Sequence, residues 1–328
     1  MRGFGAPPGV IPRAGRGGGL GVLSFKPDVI LAYEGLSPAG WHGARMAKRL
    51  GVPLLIVEEA FPTVGRTVKR VLRACGEGMW GSWVRRHASR LIALDGVAAE
   101  QARALGVPEH AMTHLPGGLD TNVYRPGLTT HLMSQHGVSG HVVLHVGPQV
   151  EGRGLEDLLD GFARTIGRRE DWRLLLAGDG PGSRALQAHG HRLGVGSQIH
   201  WIDRPRAEEM PGLLASATLL ADPDRTGGAP RRAVPGGLAC GLPVLAAEGS
   251  RYGSLIDDRV GHRVSREGVA PWADALRLAA TDPQRRARWS RGARALAEDQ
   301  LSWPAIARKL ADVLNELLSE PKPMRRTG

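Results

Sequence analysis

Short apolar runs alternate with stretches of helical period along nearly the whole chain, and no other sequence feature narrows its folding options as much. In the first half the runs are DVILAYE (Asp28 to Glu34), VPLLIVEE (Val52 to Glu59), RLIALD (Arg90 to Asp95) and MTHLP (Met112 to Pro116). A helical stretch opens at the N-cap candidate Ser37. A basic one near Arg66 to Cys75 puts Val68, Val71, Leu72 and Cys75 on one face, and a third runs from Ala98 to Leu105. LPGGLDTNVYRPG (Leu115 to Gly127) reads as a turn and exit, and residues 128–140 as a linker. The alternation then restarts with five more runs, HVVLHVG, WRLLLAG, QIHWID, TLLADP and LPVLAAE, before three closing helical stretches. Strand–helix alternation predicts parallel sheets covered on both faces. The expected layout is a flexible Gly/Pro/Arg-rich lead-in (1–22), an incomplete first α/β domain (23–127), the linker, a second α/β domain (141–300), and a closing helix and tail (301–328).

Composition removes several alternatives. A length of 328 residues accommodates two domains. No apolar run reaches the ~20 residues of a membrane-spanning helix. The N-terminus has no apolar core, so no secretory signal is expected. Two cysteines make neither a disulfide framework nor a zinc site, and a cytoplasmic setting follows. The net charge of +11 suggests nucleic acid, but 38 of the 43 basic residues are arginines spread over both halves, a diffuse excess that reads as a solvated surface. Specific nucleic-acid binding is therefore not expected. His131, His136, His141 and His145 span the linker and a strand and share no face, so no metal site is expected either.

Taken in order, the motifs resemble those of GT-B glycosyltransferases of family 4. LPGGLDTNVYRP is similar to the family's "PNGVD…F.P", VVLHVGPQVEGRGLEDLLDGFA to its "GR…KG…L..A", and LLLAGDGPGSRALQAHGHRLGVGSQIHWID to its "GDGP…LGL…V.F.G". LACGLPVLAAEGS is similar to "MACGTPVVATD.GG". The resemblance implies two Rossmann-like domains facing a cleft, with a nucleotide sugar held mainly by the second. It implies transfer with retention of configuration and no bound metal or other cofactor. The acceptor that it implies is a glycan, a lipid or a small molecule.

Such a reaction leaves a nucleoside diphosphate, so cations or N–H groups must meet the growing phosphate charge. The turn from Gly147 to Gly154 is placed to do this, with Arg153 as the phosphate cation; the family's arginine after the first glycine is Pro148 here. The resemblance puts the base against backbone groups of Ile202 and Asp203. Glu59, where the family has a histidine, becomes the candidate that orients an acceptor hydroxyl.

The chain also departs from the family. Its two glutamates, eight positions apart, fall on Gly228 (beside Gly227) and Gly236, so the donor's hydroxyls lose two carboxylate partners. Asp222, Asp224, Arg231 and Arg232 are the nearby substitutes. Restoring a glutamate at Gly236 is expected to strengthen donor binding. The alternative reading is a catalytically impaired binding or scaffold protein, or a remnant. Finally, basic residues and tryptophans between Arg66 and His87 suit peripheral contact with the inner face of an anionic membrane.

Overall fold

The four apolar runs of the first half form one sheet. The computed structural model describes residues 25–60, 76–226, 232–265 and 268–319. In it β1 (Ile30–Tyr33), β2 (Leu54–Glu58), β3 (Arg90–Ala93) and β4 (Met112–His114) lie side by side in chain order, all parallel. Leu54, Leu55 and Ile56 are completely buried, so β2 is covered on both faces. β1 is the sheet's margin, with Leu31 and Tyr33 exposed and only Ala32 buried. The helix Pro38–Leu50 starts where expected: Ser37 Oγ accepts from the Gly40 amide at 2.9 Å. It stops at Gly51, whose φ of +69° is the left-handed turn that glycine enters without strain. The lead-in, the basic stretch from Arg66 to Cys75, and Gly227 and Gly228 lie outside the described residues.

The second half forms six parallel strands, one more than expected. β5 (His141–Val146), β6 (Trp172–Ala177), β7 (Ile199–Ile202), β8 (Leu219–Asp222), β9 (Val244–Ala247) and β10 (Gly261–Val264) pair in the order β10-β9-β8-β5-β6-β7. β10 escapes a hydropathy reading because its sequence is GHRV, and only Gly261 and Val264 are buried. The chain runs outward from β5 through β7, then crosses back to build β8 to β10 on the other side. This makes β5 and β8 neighbours at a topological switch point, where a crevice opens beyond the strand ends.

The helix Leu155–Thr165 buries Leu155, Leu158, Leu159 and Phe162, an i, i+3, i+4, i+7 stripe against one face of this sheet. The helices Met210–Ser216, Ala233–Ala239 and Pro283–Leu296 cover the other face. The expected linker carries a short helix, Leu132–Gln135, whose Met133 joins Val138 in this core. The closing helix Trp303–Ser319 crosses back to the first sheet, packing Ile306, Val313 and Leu317 on Leu55, Val57 and Ile92.

Candidate functional site

A cavity of about 750 Å³ opens beyond the carboxyl ends of β5, β6 and β7, beside the switch point. Tyr124, Gly147, Pro148, Gly178, Asp179, Arg204, Arg206, Met210 and Arg232 are among the residues that line it. Its floor is two turns stacked on one another. The Gly147 amide donates to Ala177 O and the Gly178 amide to Ile202 O, both at 3.0 Å, so each glycine continues the ladder one residue past its strand. A Cβ on Gly178, at φ +146°, would lie 2.1 Å from Gly147 O, and one on Gly180 would lie 2.2 Å from Gln149 O. Buried Gln149 ties the turns together: its amide donates to Asp179 O at 2.8 Å and its Nε2 to Gly178 O at 2.6 Å. The glycines of GDGP are therefore explained by the close approach of two backbones.

The expected donor residues divide. Gly147 lines the cavity. Ile202 is buried and its carbonyl is engaged by Gly178, whereas Asp203 is exposed and the wall is made by the next residues, Arg204 to Ala207. Of the two residues expected at the base, neither is among those that line the cavity. Arg153 does not reach the cavity lining. Gly154 docks its turn on the loop after β8, where a Cβ would meet Pro223 O at 2.5 Å, and Arg153 Nη1 lies 3.4 Å from Asp224 Oδ2. Asp224 is buried and also accepts from the Thr226 amide and hydroxyl, at 2.7 and 2.6 Å.

Gly236 sits in the wholly buried helix Ala233–Ala239. A Cβ there would lie 2.9 Å from Cδ1 and Cε1 of the Tyr124 ring and 3.0 Å from Leu214 Cδ1. The tyrosine occupies the space into which a carboxylate would grow. A glutamate at Gly236, expected from the sequence to strengthen donor binding, therefore needs the ring or the helix to shift.

At the switch point itself lie buried polar groups. His145, at the end of β5, donates from Nδ1 to Ala221 O at 3.0 Å, which leaves Nε2 as the acceptor, without a partner among the described residues. Burial pushes its pKa down, so the ring is neutral. Asp222 ends β8. Burial first, and the Asp224 charge second, push its carboxyl up to about 7. On the first domain, Glu59 is buried and its Oε1 accepts from Arg251 Nη1 at 3.0 Å. Among the described residues no group of three or more His, Cys, Asp or Glu is placed to hold one metal ion, and no helix is long and apolar enough to cross a membrane.

Tyr124, Arg204, Arg206 and Arg251 are site or cleft residues that the sequence reading passed over; Arg232 appears there only as a nearby substitute. A signal existed for Arg251. In the motif similar to "MACGTPVVATD.GG", Ser250 and Arg251 stand on the two final glycines.

Comparison with known proteins agrees with this fold. The family model described as "Glycosyl transferases group 1" matches residues 134–296, and "Glycosyl transferase 4-like domain" matches residues 4–118. A GDP-mannose-dependent alpha-(1-6)-phosphatidylinositol monomannoside mannosyltransferase of Mycolicibacterium smegmatis is 29% identical over 65% of this chain and 58% of its own length. A D-inositol 3-phosphate glycosyltransferase of Gordonia bronchialis is 28% identical over 84% of this chain and 63% of its own. The chain thus spans about three fifths of these two relatives. Among solved structures, Anabaena HepE in complex with UDP superimposes with a TM-score of 0.73 at 20% identity, covering 92% of this chain and 81% of that one. Sucrose-phosphate synthase of Thermosynechococcus elongatus does so with 0.68 at 16%, covering 92% and 76%. At these identities the structures bear on the fold, which is GT-B.

Proposed function

This chain belongs to the group 1 glycosyl transferases, and from that premise we propose that it transfers a hexosyl group from a nucleotide sugar to a hydroxylated acceptor. The observation that carries the reading is the cavity beside the switch point. At about 750 Å³ it has room for a nucleoside diphosphate, and its walls combine apolar surfaces (Tyr124, Met210, Pro148) with cations. In this reading the base and ribose lie along Arg204 to Ala207 and Tyr124. The diphosphate faces Arg232 and Arg204, neither of which has an ion-pair partner among the described residues. These arginines take the part that Pro148 cannot, meeting charge that grows on the leaving phosphate. Arg206 is less available, because Glu209 and Glu208 hold its guanidinium. Retention of configuration and metal independence go with the reading as family expectations. The two relatives above are named for acceptors built on inositol, which suggests a polyol or a lipid headgroup as acceptor class.

Calorimetric titration with a panel of UDP-, GDP- and ADP-sugars tests this. At least one is expected to bind. Arg232→Ala is expected to weaken it by roughly tenfold to a hundredfold, the equivalent of one charged hydrogen bond of about 1.5–3 kcal/mol. Folded protein that binds no member of the panel would overturn the reading. A second reading, binding without transfer, is favoured by Glu59: its carboxylate is held by Arg251 in the cleft. Bound donor that is neither transferred nor slowly hydrolysed would select it.

The reading includes peripheral contact with a membrane. The described part of the segment ending at His87 joins helix Pro38–Leu50 in a face with exposed Trp41 and Met79. Arg45 stacks 4.6 Å from the centre of the Trp41 ring, and Lys48 lies 5.7 Å from that of Trp83. Cations interleaved with tryptophan suit an anionic interface.

A further inference from the structure

One side chain of the second domain is fastened into the first. Arg251 lies in the loop between β9 and β10 and is only 5% exposed. Its Nη1 donates to Glu59 Oε1 at 3.0 Å and to Asp95 Oδ2 at 2.8 Å, residues that follow β2 and β3. Its backbone oxygen accepts from the Gly96 amide at 3.1 Å. Asp95 is itself held in place. Its Oδ1 accepts from the Ala98 amide at 2.8 Å, capping the helix Gly96–Ala104, and its Oδ2 accepts from the Ala60 amide at 3.3 Å. The two segments pack closely enough that a Cβ on Gly96 would lie 2.9 Å from the Ser254 side-chain Oγ.

Neither sheet needs these contacts to form. Glu59, Asp95 and Arg251 all lie outside the strands, and each is nearly enclosed. Drawing the buried arginine away from the two carboxylates it touches takes compensation from buried charge, which is unfavourable. The contact therefore favours the closed arrangement of the two segments. The sequence offers an independent pointer, since the related motif ends in glycine where this chain has Arg251. A glycine there has no side chain to fasten.

We propose that Arg251 is an interdomain latch, holding the two domains closed across the cleft and occupying the Glu59 carboxylate for as long as they stay closed. The latch stands on the geometry alone. Its consequence, that an acceptor reaches Glu59 only after the latch opens, rests on the transferase reading.

Hydrogen exchange of the full chain, followed by mass spectrometry, reads the latch directly, because the Gly96 amide is donated to Arg251. In Arg251→Met, exchange in peptides covering residues 95–104 and 250–256 is expected to rise on the order of tenfold or more, while β5 keeps its protection. Removing the arginine alone takes a cation from two buried carboxylates. A triple variant, Arg251→Met with Glu59→Gln and Asp95→Asn, leaves none of the three charges behind and keeps a capping side chain at Asp95, so it separates lost latching from lost folding. Unchanged exchange at residues 95–104 in both variants overturns the proposal. So does a rise in β5 equal to that at the interface, which would mean general loosening. Nucleotide titration of the same samples bears on the transferase reading alone, so failure of one is distinguishable from failure of the other.

Discussion

Asp222 is a carboxyl placed where water does not reach it. It ends a strand that must be apolar to fill the sheet, and it sits beside a second carboxylate, Asp224. Both conditions disfavour its charge and push its pKa from 3.8 up to about 7. The folded state therefore holds this proton more tightly than the unfolded chain does. Asp222's contribution to stability is complete below about pH 4 and is lost as pH rises through about 7. At 1.36 kcal/mol per pKa unit, the loss is on the order of 4 kcal/mol across that window. Urea denaturation at a series of pH values from 4 to 8 measures it. Asp222→Asn is expected to flatten the decline, and an unchanged slope in that variant would mean that Asp222 does not carry the proton. From the sequence, Asp222 is visible only as an acid near the site. Its protonation depends on what stacks over the strand end.

At the scale of elements, the helix Ala233–Ala239 shows why a motif position does not by itself define a site. Its sequence, AVPGGLA, has no large side chain on the face toward Tyr124 because the tyrosine ring fills that space. Gly236→Ala is expected to lower stability by roughly 1–3 kcal/mol, since the ring or the helix must shift. Gly236→Glu is expected to destabilise more and to leave donor affinity unimproved. Denaturation curves and calorimetric titration check both. A folded Gly236→Glu that binds a sugar nucleotide more tightly than the parent would restore the carboxylate reading of that position. In the GDGP turn the glycines likewise serve packing, as spacers between two stacked backbones. β10 was hidden for the opposite reason. An edge strand with two polar residues out of four has no apolar run to detect.

For the molecule as a whole, the position of the second domain over the first is set by contacts far apart in sequence. The closing helix returns to the first sheet, and Arg90 pairs with Glu316 at 2.8 Å across 226 residues. The first domain exposes Trp41 and Met79, with Arg45 over the Trp41 ring, while Trp80 and Trp83 pack on the cluster that holds Leu54 and Ile56. Binding to anionic vesicles is expected, with release in high salt as the exposed cations are screened. Trp41→Ala combined with Met79→Ser is expected to weaken it severalfold by removing apolar insertion. Co-sedimentation measures this, and equal binding to anionic and zwitterionic vesicles would count against membrane contact.

Periodicity and residue type are local properties, and they were enough to locate nine of the strands, the cap at Ser37, the two-domain α/β plan and the ordered motifs of the family. A strand must be apolar on its covered faces wherever it ends up, so its signature survives in the sequence. Which groups face one another is a different kind of fact. Arg251 and Glu59 are 192 residues apart, Arg153 and Asp224 are 71, and Gly236 is separated by the whole of β5 to β8 from the Tyr124 ring it accommodates. Nothing in the spacing of these residues encodes their pairing. It is decided within the second domain by the order in which its strands assemble, and for Arg251 and Glu59 by how the two sheets come to rest against each other, and that is why Arg153 and Glu59 were identified as residues but not as partners of Asp224 and Arg251.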